Sequence, residues 1–370
     1  MTLDLTTAAE RARLVADDVL FPAAQHTDTA DQVPRENLDS LRDAGLNGLQ
    51  GPTDVPGGLG ADHSAARPIA EAVAGGCGAT AFVWAQHHGA VRRCAGGEGP
   101  ARDVWLPKLC DGSVLAGIGF AYLRRPGPAA VRATAVGDGW RIDGEAPWIT
   151  GWGRADVFVI MARAEDGSVV TVMVDQPYER SELTAGPPQR LAAMGSTGTV
   201  ALRFDALVLG ANSVIGVQTS EAWSLRDRVG SALPPAAPLG IADRAVRLLS
   251  DTDRPTPLLA STRSHLTDAL EARRRAADEV AGVVASVSAG EADPVGLESA
   301  ILRGALERER GLDLARRATD ALVAASGGGA MALSHPAQRL SREATFYLIQ
   351  AQTGSLREAT LARVARDPYP

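Results

Sequence analysis

Two hydrophobic periods run along this 370-residue chain, and the switches between them divide it into three. Over residues 1–112 apolar side chains recur at helical spacing. Leu5 to Phe21 sets Ala8, Ala9, Ala12, Leu14, Val15 and Val19 on one such repeat. Pro34 to Leu46 predicts a second helix, with Pro34 suited to its first turn and Gly45 to its stop. The stretch Gly51 to Gly60 holds too much glycine and proline to continue it. Helix resumes at Ser64 to Ala74, Ala79 to Val91 predicts a buried central helix, and another ends near Leu106 to Leu109.

At Ser113 the period falls to two and β-branched residues accumulate. Strands are expected at 114–122, 131–137, 140–144, 156–163, 168–175 and 198–207, with Asp138-Gly139 and Asp166-Gly167 as hairpin turns. From Thr219 the helical period returns. Trp223 to Val229, Leu239 to Asp251, Leu258 to Ala289, Val295 to Ala325 and Pro336 to Arg366 are the expected helices, the last three long enough for an antiparallel bundle. The fold class is therefore α+β: an N-terminal helical domain (1–112), a mostly antiparallel β-domain (113–218) and a C-terminal helical bundle (219–370).

Composition narrows the function. A net charge of −7 argues against a nucleic-acid surface and offers no basic patch to anionic lipid. Clusters such as Arg273-Arg274-Arg275 are flanked by acids and read as solvated helix faces. No uncharged apolar run is long enough to span a membrane, and the first ten residues carry an acid and no apolar core, unlike a signal peptide. Cys77, Cys94 and Cys110 have no metal-ligand spacing, and an odd count suggests reduced, buried thiols in a cytoplasmic protein. No metal site is expected.

The central stretch Gly144-Glu145-Ala146-Pro147-Trp148-Ile149-Thr150-Gly151 carries the candidate chemistry. Taken alone, Trp148 reads as β-domain core and Thr150 as a β-former. Other stretches change that reading. Pro34, Leu41, Ala44-Gly45-Leu46, Pro52, Gly57-Gly58-Leu59-Gly60 and Glu71 make one block. Leu106 to Gly112 makes a second, and Ala133-Thr134-Ala135 with Gly139-Trp140 and Trp148-Ile149-Thr150 a third. Gly327-Gly328 with Pro336, Arg339, Arg342-Glu343-Ala344 makes the last. Together they resemble the acyl-CoA dehydrogenase family over essentially the whole chain. The resemblance implies a flavin, FAD, between a β-domain and C-terminal helices, an acyl-thioester or related small-molecule substrate, and a homotetramer or a heterotetramer with a related subunit. It makes Trp148 the flat wall for the isoalloxazine ring and Thr150 the hydrogen-bonding group at its N5 atom. Tyr122, Leu123, Ile149, Gly327 and Gly328 become further cofactor contacts.

The sequence departs from the family in four places. Ala121-Tyr122-Leu123-Arg124-Arg125-Pro126-Gly127-Pro128-Ala129 stands where a Thr-Glu-Pro and Gly-Ser-Asp loop is usual, so Arg124 and Arg125 are either phosphate partners or solvent-facing arginines. Arg254 is the nearest candidate for a diphosphate-binding arginine, and Ala324 replaces a glutamine. The base that removes a substrate proton is usually a glutamate; ungapped counting from Arg342-Glu343-Ala344 puts Ala351 there, which cannot titrate. An alternative base position falls near Gly230, where Asp227 is the carboxylate in reach, its other reading being a solvated Asp between Arg226 and Arg228. His88, beside His87 on the central helix, is a second candidate acid or base, its other reading a satisfied core histidine. Three functions follow: a dehydrogenase, the non-catalytic partner of a heteromeric dehydrogenase, or a flavin-dependent monooxygenase on the same fold.

Overall fold

The computed structural model describes residues 3–251, 256–288 and 294–366. Asp4 opens the first helix, its carboxylate accepting the Thr7 N–H at 2.9 Å as an N-cap. Helix α1 (Leu5–Leu14) runs through a π-helical stretch (Val15–Leu20) into α2 (Phe21–Thr29), so the expected helix extends past Phe21. Then follow α3 (Arg35–Asp43), α4 (His63–Gly76), α5 (Gly78–Ala95) and α6 (Ala101–Cys110). The strands are β1 (Ala116–Gly119), β2 (Val131–Val136), β3 (Gly139–Ile149), β4 (Val157–Ala164), β5 (Val169–Asp175), β6 (Leu183–Ala185), β7 (Val200–Leu209) and β8 (Val214–Gln218). The remaining helices are α7 (Ser220–Ala232), α8 (Ala236–Leu248), α9 (Pro257–Ser288), α10 (Pro294–Ser326), α11 (Pro336–Phe346) and α12 (Gly354–Arg366). This is the expected order of helices, sheet and helices.

Two compact units emerge. The first comprises the chain up to Val15, His26–Asp62 and Ala79–Ser224, and holds the whole sheet. Its strands run β6-β7-β3-β2-β4-β5-β8, with β1 pairing β4 in parallel; β2 and β4 are also parallel and the remaining pairs antiparallel. Most of β4 and β5 is buried along its length, because both faces are covered and neither needs a polar side. The second unit comprises Ala16–Gln25, His63–Gly78 and the chain from Leu225 onward. Within it α4 crosses α8 closely: a Cβ on Gly240 would stand 2.1 Å from the Glu71 carbonyl oxygen, so only glycine lets the helices approach. No helix among the described residues is long and apolar enough to cross a membrane.

Three expectations need correction. The strand expected at 114–122 ends at Gly119 and gives way to a 3₁₀ turn, Ala121–Arg124. Two short strands, β6 and β8, were not expected at all. The single helix expected from Pro336 to Arg366 is two, α11 and α12, separated by turns. In that break Ala351 has φ +52°, a left-handed conformation that strains any residue with a Cβ. Ala351→Gly relieves the strain and is expected to stabilise the protein by about 1 kcal/mol, read as a higher denaturation midpoint.

Candidate functional site

Trp148 lies near the end of β3, where strict alternation from the buried Ala146 would turn it inward. It does not turn inward, because the strand is bulged. Ala146 pairs with Leu202 and Ile149 with Val200, so Pro147 and Trp148 together face the single residue Ala201. Pro147 has no N–H to give the ladder, which explains a bulge here. The extra residue shifts the phase: Ile149 enters the core and the Trp148 indole is left 50% exposed. A large flat ring is thus held out of the core by the strand geometry itself.

Thr150, one step beyond the strand, is buried. Its Oγ lies 3.1 Å from Thr199 Oγ, which lies 2.9 Å from Thr197 Oγ, which in turn donates to the Met194 carbonyl at 2.7 Å. The backbone is pinned beside this chain: Gly151 N donates to Thr197 O at 2.8 Å and Trp152 N to Gly198 O at 3.1 Å. Gly198 has φ +58°, and a Cβ there would lie 2.4 Å from Trp152 O, so no other residue fits. Tyr178 closes the turn from the far side, its hydroxyl accepting from Gly153 N at 2.8 Å and donating to Ala155 O at 2.7 Å. Trp152 is packed between Phe158 and Tyr178.

Tyr122 and Leu123, in the 3₁₀ turn, are both buried. The Tyr122 hydroxyl is engaged with the carbonyls of Gly119 and Met161, at 2.9 and 2.6 Å, and burial raises its pKa. Leu123 N donates to Phe120 O. Their side chains are core, which leaves backbone groups of this turn as what it can offer a ligand. Arg124 and Arg93 both lie over the Phe120 ring, at 5.2 and 6.0 Å from its centre, and Arg125 is exposed.

The adjacent histidines of α5 differ sharply. His87 is wholly buried and saturated: Ala116 N donates to its Nδ1 at 3.1 Å, while Nε2 faces the carbonyls of Leu109 and Asn47 at 3.1 and 3.2 Å. An accepting Nδ1 and a donating Nε2 define one neutral tautomer. Burial pushes its pKa down to about 4 despite those carbonyls. His88 is also buried, yet among the described residues neither ring nitrogen has a hydrogen-bond partner, nor has the indole N–H of Trp84. The two rings meet edge to face with centres 4.2 Å apart. Burial, then the neighbouring His87 and Arg92, hold the His88 pKa well below its usual value. His87 is the satisfied core histidine; His88 is buried without such partners among the described residues.

The remaining candidates lie in the second unit. Asp227, on α7, is buried rather than solvated, and Arg228 pairs with Glu298 at 2.7 Å. Gly327 and Gly328 are exposed at the start of a 3₁₀ turn, Gly327–Met331. Ala351 sits in the break after α11, with the Gln350 carbonyl held by Arg308. Arg254 lies outside the described residues. Sequence reading missed Thr197, Thr199 and Tyr178. The hydroxyl-rich run Ser196-Thr197-Gly198-Thr199 was a visible signal, but its link to Thr150 exists only through the pairing of β3 with β7.

Residues 3–113 match the family model described as acyl-CoA dehydrogenase, N-terminal domain. A 3-sulfinopropanoyl-CoA desulfinase of Variovorax paradoxus is 32% identical over 179 residues, 44% of this chain and 43% of that protein. The chain spans about half the length of the curated relatives it matches. Butyryl-CoA dehydrogenase of Megasphaera elsdenii superposes with a TM-score of 0.79 over 98% of both chains, at 19% identity. Dibenzothiophene monooxygenase of Paenibacillus sp. A11-2 does so with a TM-score of 0.79 over 99% of this chain and 97% of its own, at 16% identity. At those identities the superpositions show a shared fold.

Proposed function

Because this chain belongs to the acyl-CoA dehydrogenase family, we propose that it is an FAD-dependent oxidoreductase acting on an acyl thioester or a related small molecule. One observation carries the reading: a bulge in β3 holds the Trp148 indole 50% exposed, two residues from a buried, pinned Thr150 hydroxyl. A flat apolar wall and a hydroxyl at that spacing suit an isoalloxazine ring. The flavin, when bound, supplies a hydride acceptor. Trp148 would stack against it, the Thr150 hydroxyl would lie at N5, Ile149 would back the shelf from the core, and backbone of the Tyr122–Leu123 turn would meet its polar edge. Toward the ADP half, Ala324 offers no side-chain hydrogen bond, and Gly327 and Gly328 would offer backbone alone.

Proton handling falls to His88 in this reading. It is buried, its pKa is held well below the usual value, and neither ring nitrogen has a hydrogen-bond partner among the described residues, whereas Ala351 holds no titratable group. Asp227 is the alternative carboxylate. The absence of a titratable group at Ala351 favours a second reading, a flavin-dependent monooxygenase, which needs a dry pocket and no carboxylate base. A third role, partner to a related subunit that brings the missing glutamate in a heterotetramer, would also accommodate Ala351; the first reading goes with a homotetramer.

Titration with FAD, followed by visible absorbance, is expected to give stoichiometric binding. Trp148→Ala is expected to weaken it roughly tenfold, about the worth of one aromatic stacking contact. Protein that stays colourless with both FAD and FMN sinks the proposal. Oxygen consumption with externally reduced flavin separates the monooxygenase reading from the dehydrogenase.

A further inference from the structure

The three threonine hydroxyls behind the shelf form a chain whose direction can be worked out from one rule: a hydroxyl has a single proton to donate. Thr197 Oγ lies 2.7 Å from the Met194 carbonyl oxygen, which can only accept, so the proton between them is that of Thr197. The 2.9 Å contact between Thr197 and Thr199 then needs the proton of Thr199. With that proton spent, the 3.1 Å contact between Thr199 and Thr150 needs the proton of Thr150. All three side chains are buried, so water does not compete for them. Met194 anchors the arrangement: at φ +62° it receives both the N–H and the O–H of Thr197 on one carbonyl.

We infer that Thr197 and Thr199 are positioning residues that turn the Thr150 proton inward, so that Thr150 presents only lone pairs to a ligand and stabilises a reduced flavin over an oxidised one. This rests on the flavin reading of Trp148 and Thr150. Oxidised N5 carries a lone pair and no hydrogen, and an inward-turned hydroxyl has no proton to give it. Two-electron reduction places a hydrogen on N5, and an acceptor is then what that atom needs. A freely rotating hydroxyl would serve both states alike. The polarised chain favours one, and the bound flavin's midpoint potential is raised accordingly.

The test is the midpoint potential of FAD bound to the purified full chain, measured by dye-equilibrated reduction. Thr199→Val removes the acceptor of the Thr150 proton and frees it to point at oxidised N5. The expected result is a shift of about tenfold toward the oxidised form, which for a two-electron couple is about 30 mV downward. Thr197→Val touches Thr150 nowhere, yet it lets Thr199 donate to Thr150 and turns the Thr150 proton outward, so it is expected to shift the potential in the same direction. Thr199→Ser is expected to restore the wild-type value, and Thr199→Ala serves if the valine variant does not fold. A potential that is unchanged or raised in the valine variants overturns the inference while leaving the flavin reading intact. Wild-type protein that binds no FAD overturns the flavin reading itself.

Discussion

Replacing His87 with leucine is expected to destabilise the protein by about 4 kcal/mol. The side chain fits by volume, so the cost is almost wholly polar. The imidazole takes the Ala116 N–H and lies in hydrogen-bonding reach of the carbonyls of Leu109 and Asn47, joining α5 to the loop after α3, the end of α6 and β1. Leucine leaves three buried backbone groups without that partner, each costing about 1–3 kcal/mol. Chemical denaturation at neutral pH measures the loss directly. A pH series adds a second readout with a definite sign. The folded His87 stays neutral down to about 4, whereas an unfolded histidine takes up a proton below its ordinary 6.5. Stability therefore falls as pH drops from 6.5 toward 4, by roughly 3 kcal/mol for this residue. His88, depressed in the same direction, steepens the fall. His87→Leu flattens the curve without abolishing it. A variant with wild-type midpoints at pH 7 and an unchanged pH slope would show that His87 is not the clasp described.

What the sequence reveals of this molecule, and what it hides, follows the range of the forces involved. The hairpin turn at Asp166-Gly167 and the helix stop at Gly45 were legible because the cause is local, a few residues and their backbone preferences; the turn expected at Asp138-Gly139 falls one residue earlier, at Gly137-Asp138, and Gly139 already pairs with Val136. The break between α11 and α12 was not, because Tyr347 to Thr353 contains no proline or glycine, and Ala351 is by itself a good helix former. Strands β6 and β8, three and five residues long, are too short for a period to register. The site shows the same division. Trp148 and Thr150 could be picked out, but the exposure of one and the proton direction of the other depend on pairing with a strand about fifty residues away. His87 and His88 are indistinguishable as letters. Their difference is one of neighbours: three hydrogen-bond partners for His87 and none, among the described residues, for His88. Asp227 was read as solvated between two arginines, yet it is buried.

Glu71→Gln is expected to cost about 3 kcal/mol, and for a different reason: it changes charge and keeps shape. Glu71 was part of the block by which the chain resembles its family, and its buried carboxylate is the hub of an ion network in the second unit. One oxygen meets Arg67 at 2.7 Å and the other meets Arg274 at 2.7 Å. Arg67 reaches on to Asp278 at 2.6 Å and Arg274 to Asp243 at 3.0 Å, so α4, α8 and α9 are tied through a single side chain. The Gly240 contact brings α8 against the Glu71 backbone, and Glu71 itself is buried. Glutamine keeps a hydrogen-bond acceptor for one arginine but turns an N–H toward the other, and it removes the charge that both guanidinium groups need once they are partly desolvated. Breaking a buried pair this way costs about 3–5 kcal/mol. The low end applies because Arg274 is 30% exposed and regains some hydration. Raising the salt concentration should therefore soften the loss only slightly, since a buried network is screened far less than a surface pair. A wild-type-like melting temperature for Glu71→Gln at low salt would mean that the helices are held by packing at Gly240 alone, with the ion network contributing nothing net.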